Sequence, residues 1–348
     1  MGSQHAGMNH FHLLLPGLLG RTRWTGEQAE ETVHAPALER LLSRADLQLV
    51  PASTIAQVCA CFDLVEEEMA LPVAALTRPI DTGKRSDGYW LRLDPVHLQA
   101  GAREILMTNP DDLQLGQEHN QVLGALCAAH LSELGLTLDF TAVGRWYLQL
   151  PDPPELFTRS PQDCIDQDIA ADLPRGSAGP LWHRYMTELQ MVLAGHAVNS
   201  DREQRGLPAV NSVWPWGGGV LPETVPARGT AYGDDLLLSG LARWADWSYR
   251  PLPYGFESMM EGPKAGRAAM LFGPDVLPEP EADPSARKEA IGQLERNWFA
   301  PIERALKRRQ IHTLWLYPGR GLRLRSGMRQ AWRLWRRPKS LQRWRAAP

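Results

Sequence analysis

The sequence predicts a mixed α/β fold in three layers, with a mostly parallel central sheet. Three observations lead there. Strand-like and helix-like segments alternate near the start of the chain, as in βαβ units. Residues 311–317 are apolar on both faces apart from His312, as in a central strand of a covered sheet. The composition, 43% hydrophobic and 22% charged over 348 residues, is that of a globular protein with a sizeable core.

Residues 1–7 read as a tag-like or alternative start and take no part in the fold reading. Residues 11–15 form a short buried strand ended by Pro16-Gly17. Pro36 opens a helix with Leu38, Leu41, Leu42 and Ala45 on one face, proline being welcome at a first helical position. Residues 47–50 read as a strand, and Ser53 as the N-cap of a helix whose Ile55, Cys59 and Phe62 share a face. Glu66-Glu67-Glu68 reads as a solvated face. Residues 89–93 alternate as a strand and run into Asp94-Pro95-Val96-His97-Leu98.

Residues 117–134 form a helix that buries Leu123, Leu126, Cys127, His130, Leu131 and Leu134 and stops at Gly135. Residues 136–150 read as a hairpin around Val143-Gly144. A helix over 182–196 places Tyr185, Leu189, Val192 and His196 at helical spacing. Residues 211–216 form a strand that empties into Gly217-Gly218-Gly219, and Asp234 caps a helix running to Trp247. A strand over 269–272, a Pro-rich loop over 273–284, and a helix over 285–298 continued from Pro301 complete the body. The expected organisation is one large domain over 8–318 with a candidate loop or linker at 150–180. A basic segment, 319–348, is expected to pack on it.

Charge is unevenly distributed. From Arg304 to Pro348 there are 14 basic residues and no acid, whereas the first 303 positions hold 23 basic and 40 acidic residues, a balance of −17. Residues 328–337 can form a short helix with Trp332 and Trp335 on one side and Arg329, Arg333, Arg336 and Arg337 crowding the other. Three partners are possible for this basic surface: the chain's own acidic body, a nucleic acid or an anionic membrane; docking on the body through its tryptophans is expected. Nucleic acid is a poorer partner, because the body's charge repels phosphates.

No apolar run approaches the roughly 20 residues of a membrane helix, and no signal-peptide pattern opens the chain. With Cys59, Cys61, Cys127 and Cys164 lacking any zinc or disulfide spacing, a reducing, cytoplasmic setting is expected. The nucleophile-elbow, P-loop and dinucleotide glycine motifs are missing, so no catalytic residue and no cofactor is assigned. His10 and His12 have a spacing that can hold a metal, but no carboxylate or cysteine partner lies near them, and no metal ligand is assigned.

The candidate ligand site is Asn211-Ser212-Val213-Trp214-Pro215-Trp216-Gly217-Gly218-Gly219. Glycines there can present backbone N–H groups to a small anion, with Trp214 and Trp216 as an apolar wall. A Gly-rich turn beneath a Trp-packed core explains the same residues. Asp94 and His97, at a strand end, complete the candidate set; an Asp-Pro turn with a satisfied histidine accounts for them equally well.

Three segments carry a resemblance: 94–98, 199–219, and Trp332-Arg333-Leu334-Trp335-Arg336-Arg337-Pro338. They resemble the RpfE-type regulatory proteins of proteobacteria, whose members are sometimes labelled phosphoglycerate mutase. The likeness runs from Phe11 to Leu341. Archaeal-type cofactor-independent mutases, in the alkaline-phosphatase superfamily, begin with a strand ending in Asp-Gly and a Pro-led helix; here the similar place reads Leu15-Pro16-Gly17 and then Pro36-Ala37-Leu38. Their Asn followed five residues later by Arg-Gly-x-Gly compares with Asn211 and Trp216-Gly217-Gly218-Gly219, and their late strand ending in Asp-His with Pro318-Gly319-Arg320. The resemblance implies an alkaline-phosphatase-like fold with a degenerate metal site, since proline and glycine cannot bind a divalent cation through a side chain. It implies a non-catalytic regulatory or accessory protein that binds a small anionic ligand, or a protein partner. The alternatives are a mutase-like phosphotransferase and a module that engages an anionic partner through its basic C-terminus.

Overall fold

The computed structural model describes residues 8–20, 33–65, 71–101, 103–165, 167–223, 228–262, 266–273, 276–278 and 283–346. The tag-like start and Glu66-Glu67-Glu68 lie outside them. Where the sequence pointed to one domain over 8–318, the chain forms two compact units, residues 1–65 with 224–348 and residues 66–223.

In chain order the first unit contributes β1 (Met8–Leu14) and β2 (Asp46–Leu49). The second contributes β3 (Tyr89–Val96), β4 (Leu98–Ala100), β5 (Ile105–Met107), β6 (Thr137–Ala142), β7 (Arg145–Leu150) and β8 (Ser212–Gly219). The first unit then adds β9 (Gly229–Tyr232), β10 (Ser248–Arg250), β11 (Arg267–Leu271), β12 (Ile311–Gly319) and β13 (Leu322–Gly327).

The first unit is built on a seven-stranded sheet in the order β10-β9-β11-β1-β12-β13-β2. From β10 to β12 the strands run parallel, and β13 and β2 extend the sheet antiparallel. The mostly parallel sheet is therefore as expected, but β2 is not. The strand–helix–strand run implied a neighbour of β1; β2 instead lies at the far edge, paired with β13. The basic segment likewise begins as a sheet strand, since residues 322–327 are β13.

One face of the sheet carries the core. Phe11, Leu13 and Leu15 of the β1 segment, Met270, Leu314, Leu316 and Leu324 pack with Leu38, Leu41 and Leu42 of helix Pro36–Arg44 and with Ile291, Phe299, Ile302 and Leu306. The last four belong to a long helix, Pro284–Leu294 continued by Ala300–Lys307, interrupted by a π-turn at Glu295–Phe299. Pro301 has no N–H to donate back along the helix, and the wider turn just before it accommodates that gap. The π-turn has a second use. Helix Pro36–Arg44 has no side-chain cap of its own, and the Glu295 carboxylate accepts from the N–H groups of Ala37 (2.7 Å) and Leu38 (3.1 Å). These are orphan donors of the first turn, where negative charge is favoured.

The second unit is an antiparallel sheet, β6-β7-β3-β8, beside a β4-β5 hairpin. Helix Val73–Thr82 packs on β3 and β8, and helices Gln117–Glu133 and Gly179–Leu193 on β6 and β8 respectively. The predicted hairpin and the helix from Gln117 are present, although Leu134 is exposed beyond the helix end. The predicted linker at 150–180 is integral to this unit: Cys164 and Ile169 are buried, and the Trp214 indole donates to the Arg159 carbonyl (2.8 Å).

Candidate functional site

The predicted ligand residues all lie on or beside the β3–β8 pair, and each is engaged within the second unit. Residues 217–219 are not a loop after a strand but the end of β8 itself. A Cβ on Gly217 would stand 2.9 Å from Val73 Cβ, and one on Gly219 2.6 Å from Pro72 Cβ. One on Gly218 would overlap the Tyr89 hydroxyl. The glycines let helix Val73–Thr82 and Tyr89 approach the strand, which explains three in a row without a ligand. Arg92 donates two hydrogen bonds to Asp94 (2.8 and 2.7 Å), and the Trp216 indole donates a third (2.7 Å), all buried. Burial pushes the Asp94 carboxyl up, with Arg92 the chief influence opposing it. Asn211 closes a reciprocal pair with Leu98, accepting from its N–H (2.8 Å) and donating to its carbonyl (2.9 Å). Ser212 bonds Gln190 (3.1 Å), and His97 Nδ1 lies 2.7 Å from the Ala209 carbonyl.

In the first unit, the ends of β1 and β12 meet where the mutase-like comparison would put metal ligands. Pro16, Gly17, Pro318 and Gly319 stand there, and the backbones close on each other. Gly319 has φ +96°, and a Cβ on it would lie closer than 3.0 Å to the Pro16 carbonyl oxygen. Beside this junction the buried Arg287 guanidinium donates to the carbonyls of Gly17 (2.8 Å), Leu18 (3.0 Å) and Pro278 (2.6 Å). A fixed cation already occupies these acceptors. Pro16, Gly17, Pro318 and Gly319 offer no side-chain ligand to a divalent metal, and among the described residues no three His, Cys, Asp or Glu side chains converge as metal ligands.

The opposite face of the same sheet holds a cluster the sequence reading did not assemble. His12 is buried between Trp315 and Tyr317, its ring stacked on both at 6.2 and 6.1 Å, with Nδ1 3.2 Å from the Tyr317 hydroxyl. Burial, reinforced by Arg267, pulls His12 down to about 3, so it is neutral at physiological pH. Tyr317 also bonds Cys61, whose thiol burial raises to about 12. Arg267 pairs with Asp63 (2.6 Å), and Arg323 and Arg325 lie over the Trp315 ring at 4.7 and 5.7 Å. His10 shares this face but is exposed, so the His10–His12 pair does not converge on one point. The His-x-His spacing was the only sequence signal for the cluster; Cys61 and Arg267 join it through the fold.

The basic surface divides. Arg333 pairs with Asp46 and donates to the Arg44 carbonyl (3.0 Å), and Arg336 donates to the Ala45 carbonyl (3.0 Å). Arg329 and Arg337 are exposed. The predicted 328–337 helix is a single turn, Met328–Ala331, and a further helix, Leu341–Ala346, follows. The expected tryptophan anchors are reversed: Trp332 and Trp335 face outward while the arginines dock. An open cleft of about 550 Å³ lies here, lined by Ser43, Asp46, Leu47, Arg337, Lys339 and Trp344 among others.

No protein-family model matches the chain. It is 30% identical over 99 residues to the 2,3-bisphosphoglycerate-independent phosphoglycerate mutase of Methanothrix thermoacetophila, 27% of this chain and 25% of that one. It is 35% identical over 63 residues to the corresponding mutase of Methanosarcina mazei, 18% of this chain and 16% of that one. The match thus spans about a quarter of the first relative's length and less of the second's. A solved protein structure from Pyrococcus horikoshii is similar with a TM-score of 0.51 and 13% identity, over 92% of this chain and 88% of that one. A cofactor-independent phosphoglycerate mutase from Thermoplasma acidophilum aligns with a TM-score of 0.46 and 13% identity. Over those stretches the chain is distantly similar to the cofactor-independent phosphoglycerate mutases.

Proposed function

We infer that this chain is a non-catalytic regulatory or accessory protein, of the RpfE type, on an alkaline-phosphatase-like three-layer scaffold. It acts by binding an anionic partner rather than by turnover. The observation that carries this reading is the closed junction of β1 and β12. Backbone from Pro16 and Gly319 fills the space, and the Arg287 guanidinium holds the neighbouring carbonyls. A cation-assisted phosphoryl transfer needs carboxylates or imidazoles at such a place, with a nucleophile between them. Proline and glycine supply neither.

The anionic partner is better placed at the basic C-terminal surface than at Gly217–Gly219. The glycines are covered by Val73, Tyr89 and Pro72, whereas Arg337 and Lys339 are exposed beside an open cleft. Calorimetric titration of the full chain with manganese, zinc, cobalt and magnesium tests the first half of this reading. The expected result is no stoichiometric heat; saturable binding of one or two ions per chain would sink it.

A further inference from the structure

The C-terminal segment docks two of its arginines and turns its apolar side chains outward. Arg333 and Arg336 dock on Asp46 and on the carbonyls of Arg44 and Ala45, and the Lys339 N–H donates to Ser43 Oγ (2.8 Å). These bonds fix the backbone against helix Pro36–Arg44. Meanwhile Trp332, Leu334 and Trp335 stand 53%, 65% and 76% exposed. Scattered exposed apolar residues need no explanation, but two tryptophans and a leucine within four positions, held outward by docked arginines, form a built feature.

The charge around them is uncompensated. Arg329, Arg337 and Lys339 are exposed. The acids nearby are already engaged: Asp46 by Arg333, Glu303 by Arg40 and Lys307, and Glu39 by the Leu341 N–H. From Arg304 onward no acid occurs in the chain.

We propose that residues 332–339 are a peripheral anchor that takes the surface of an anionic phospholipid bilayer. Indole rings favour the headgroup level, and exposed lysines and arginines are attracted to anionic lipid. Leu334 decides against nucleic acid. Tryptophan can stack on bases, but a leucine more exposed than Trp332 gains nothing from phosphates and gains from the acyl boundary. Because the segment is already held by hydrogen bonds, little ordering opposes binding. Among the described residues no helix is long and apolar enough to cross a membrane, so the contact is a surface one. The proposal names the anionic partner inferred above for this surface and rests on that part of the reading; it does not depend on whether the chain turns over a substrate.

The test is co-sedimentation of the full chain with vesicles of phosphatidylcholine, alone or mixed with phosphatidylglycerol, at low and raised salt. Two triple variants accompany it: Trp332→Ser/Leu334→Ser/Trp335→Ser and Arg329→Gln/Arg337→Gln/Lys339→Gln. All six side chains are exposed, so both variants keep the melting temperature. Retention on the anionic vesicles alone is expected, weakened by salt and reduced about tenfold or more in each variant. The proposal is overturned by no retention on anionic vesicles, or by retention that the apolar variant leaves unchanged. It is equally overturned if the chain binds duplex DNA or RNA but not vesicles, or if the apolar variant abolishes a dimer instead.

Discussion

Lowering the pH from about 7 to about 5 will destabilise the protein through His12. Burial holds its folded value near 3, against an ordinary 6.5 in the unfolded chain. Arg267, His10 and Arg323 also oppose the proton, and only Asp63 favours it. Between those two values the unfolded state binds a proton that the folded state refuses, so stability is full above 6.5 and falls as the pH drops toward 3. Each unit is worth about 1.4 kcal/mol, and the span from pH 7 to pH 5 costs about 2 kcal/mol through this residue. The chain holds nine other histidines, so the effect must be isolated by difference. His12→Gln keeps a neutral side chain that can accept from the Tyr317 hydroxyl. Urea denaturation of both proteins at the two pH values gives the comparison. The wild type should lose about 2 kcal/mol more than the variant over that span. Equal losses in the two proteins would show that His12 is not held neutral between Trp315 and Tyr317.

Other outcomes follow from single contacts. Gly218→Val should cost about 2 kcal/mol or more of stability, read by thermal melting, because its side chain meets Tyr89 and Leu91 in the packed second unit. Glu295→Ala should cost about 1–3 kcal/mol in a denaturant titration by orphaning the Ala37 and Leu38 N–H groups. Asp46→Asn should cost no more than about 1 kcal/mol, because the pair with Arg333 is partly exposed. It should nonetheless speed tryptic cleavage after Arg333 and Arg336. Arg333 holds the Asp46 carboxyl below the usual range, so acid should loosen the segment only once the pH falls through that lowered value.

Helix Gln117–Glu133 could be read from sequence because its signals are local: helical spacing of Leu123, Cys127 and Leu131, and a stop at Gly135, whose φ is +75°. Strand β12 was legible for the same reason, as a continuous apolar run. Gly217–Gly219 were misplaced because a glycine run signals a turn, whereas here Pro72, Val73 and Tyr89 demand strand positions without side chains. The segment after β13 was read with its anchors inverted. Tryptophan is the usual anchor, but the docking partners are the carbonyls of Arg44 and Ala45, nearly three hundred residues upstream. A carbonyl carries no sequence signal. Arg287 was invisible for the same reason, since its acceptors at Gly17 and Leu18 are backbone oxygens. The fold brings the candidate ligand residues together along the β3–β8 pair. What local sequence could not show was that Arg92, Trp216 and Leu98 already satisfy Asp94 and Asn211.

The most direct test of the central claim is an interconversion assay with purified full-length protein. Both 2- and 3-phosphoglycerate are supplied in turn, with manganese, magnesium, zinc or cobalt present. The closed junction of Pro16 and Gly319 predicts no turnover above the metal-only control in either direction. Metal-dependent interconversion that persists through repurification and scales with protein concentration would contradict it.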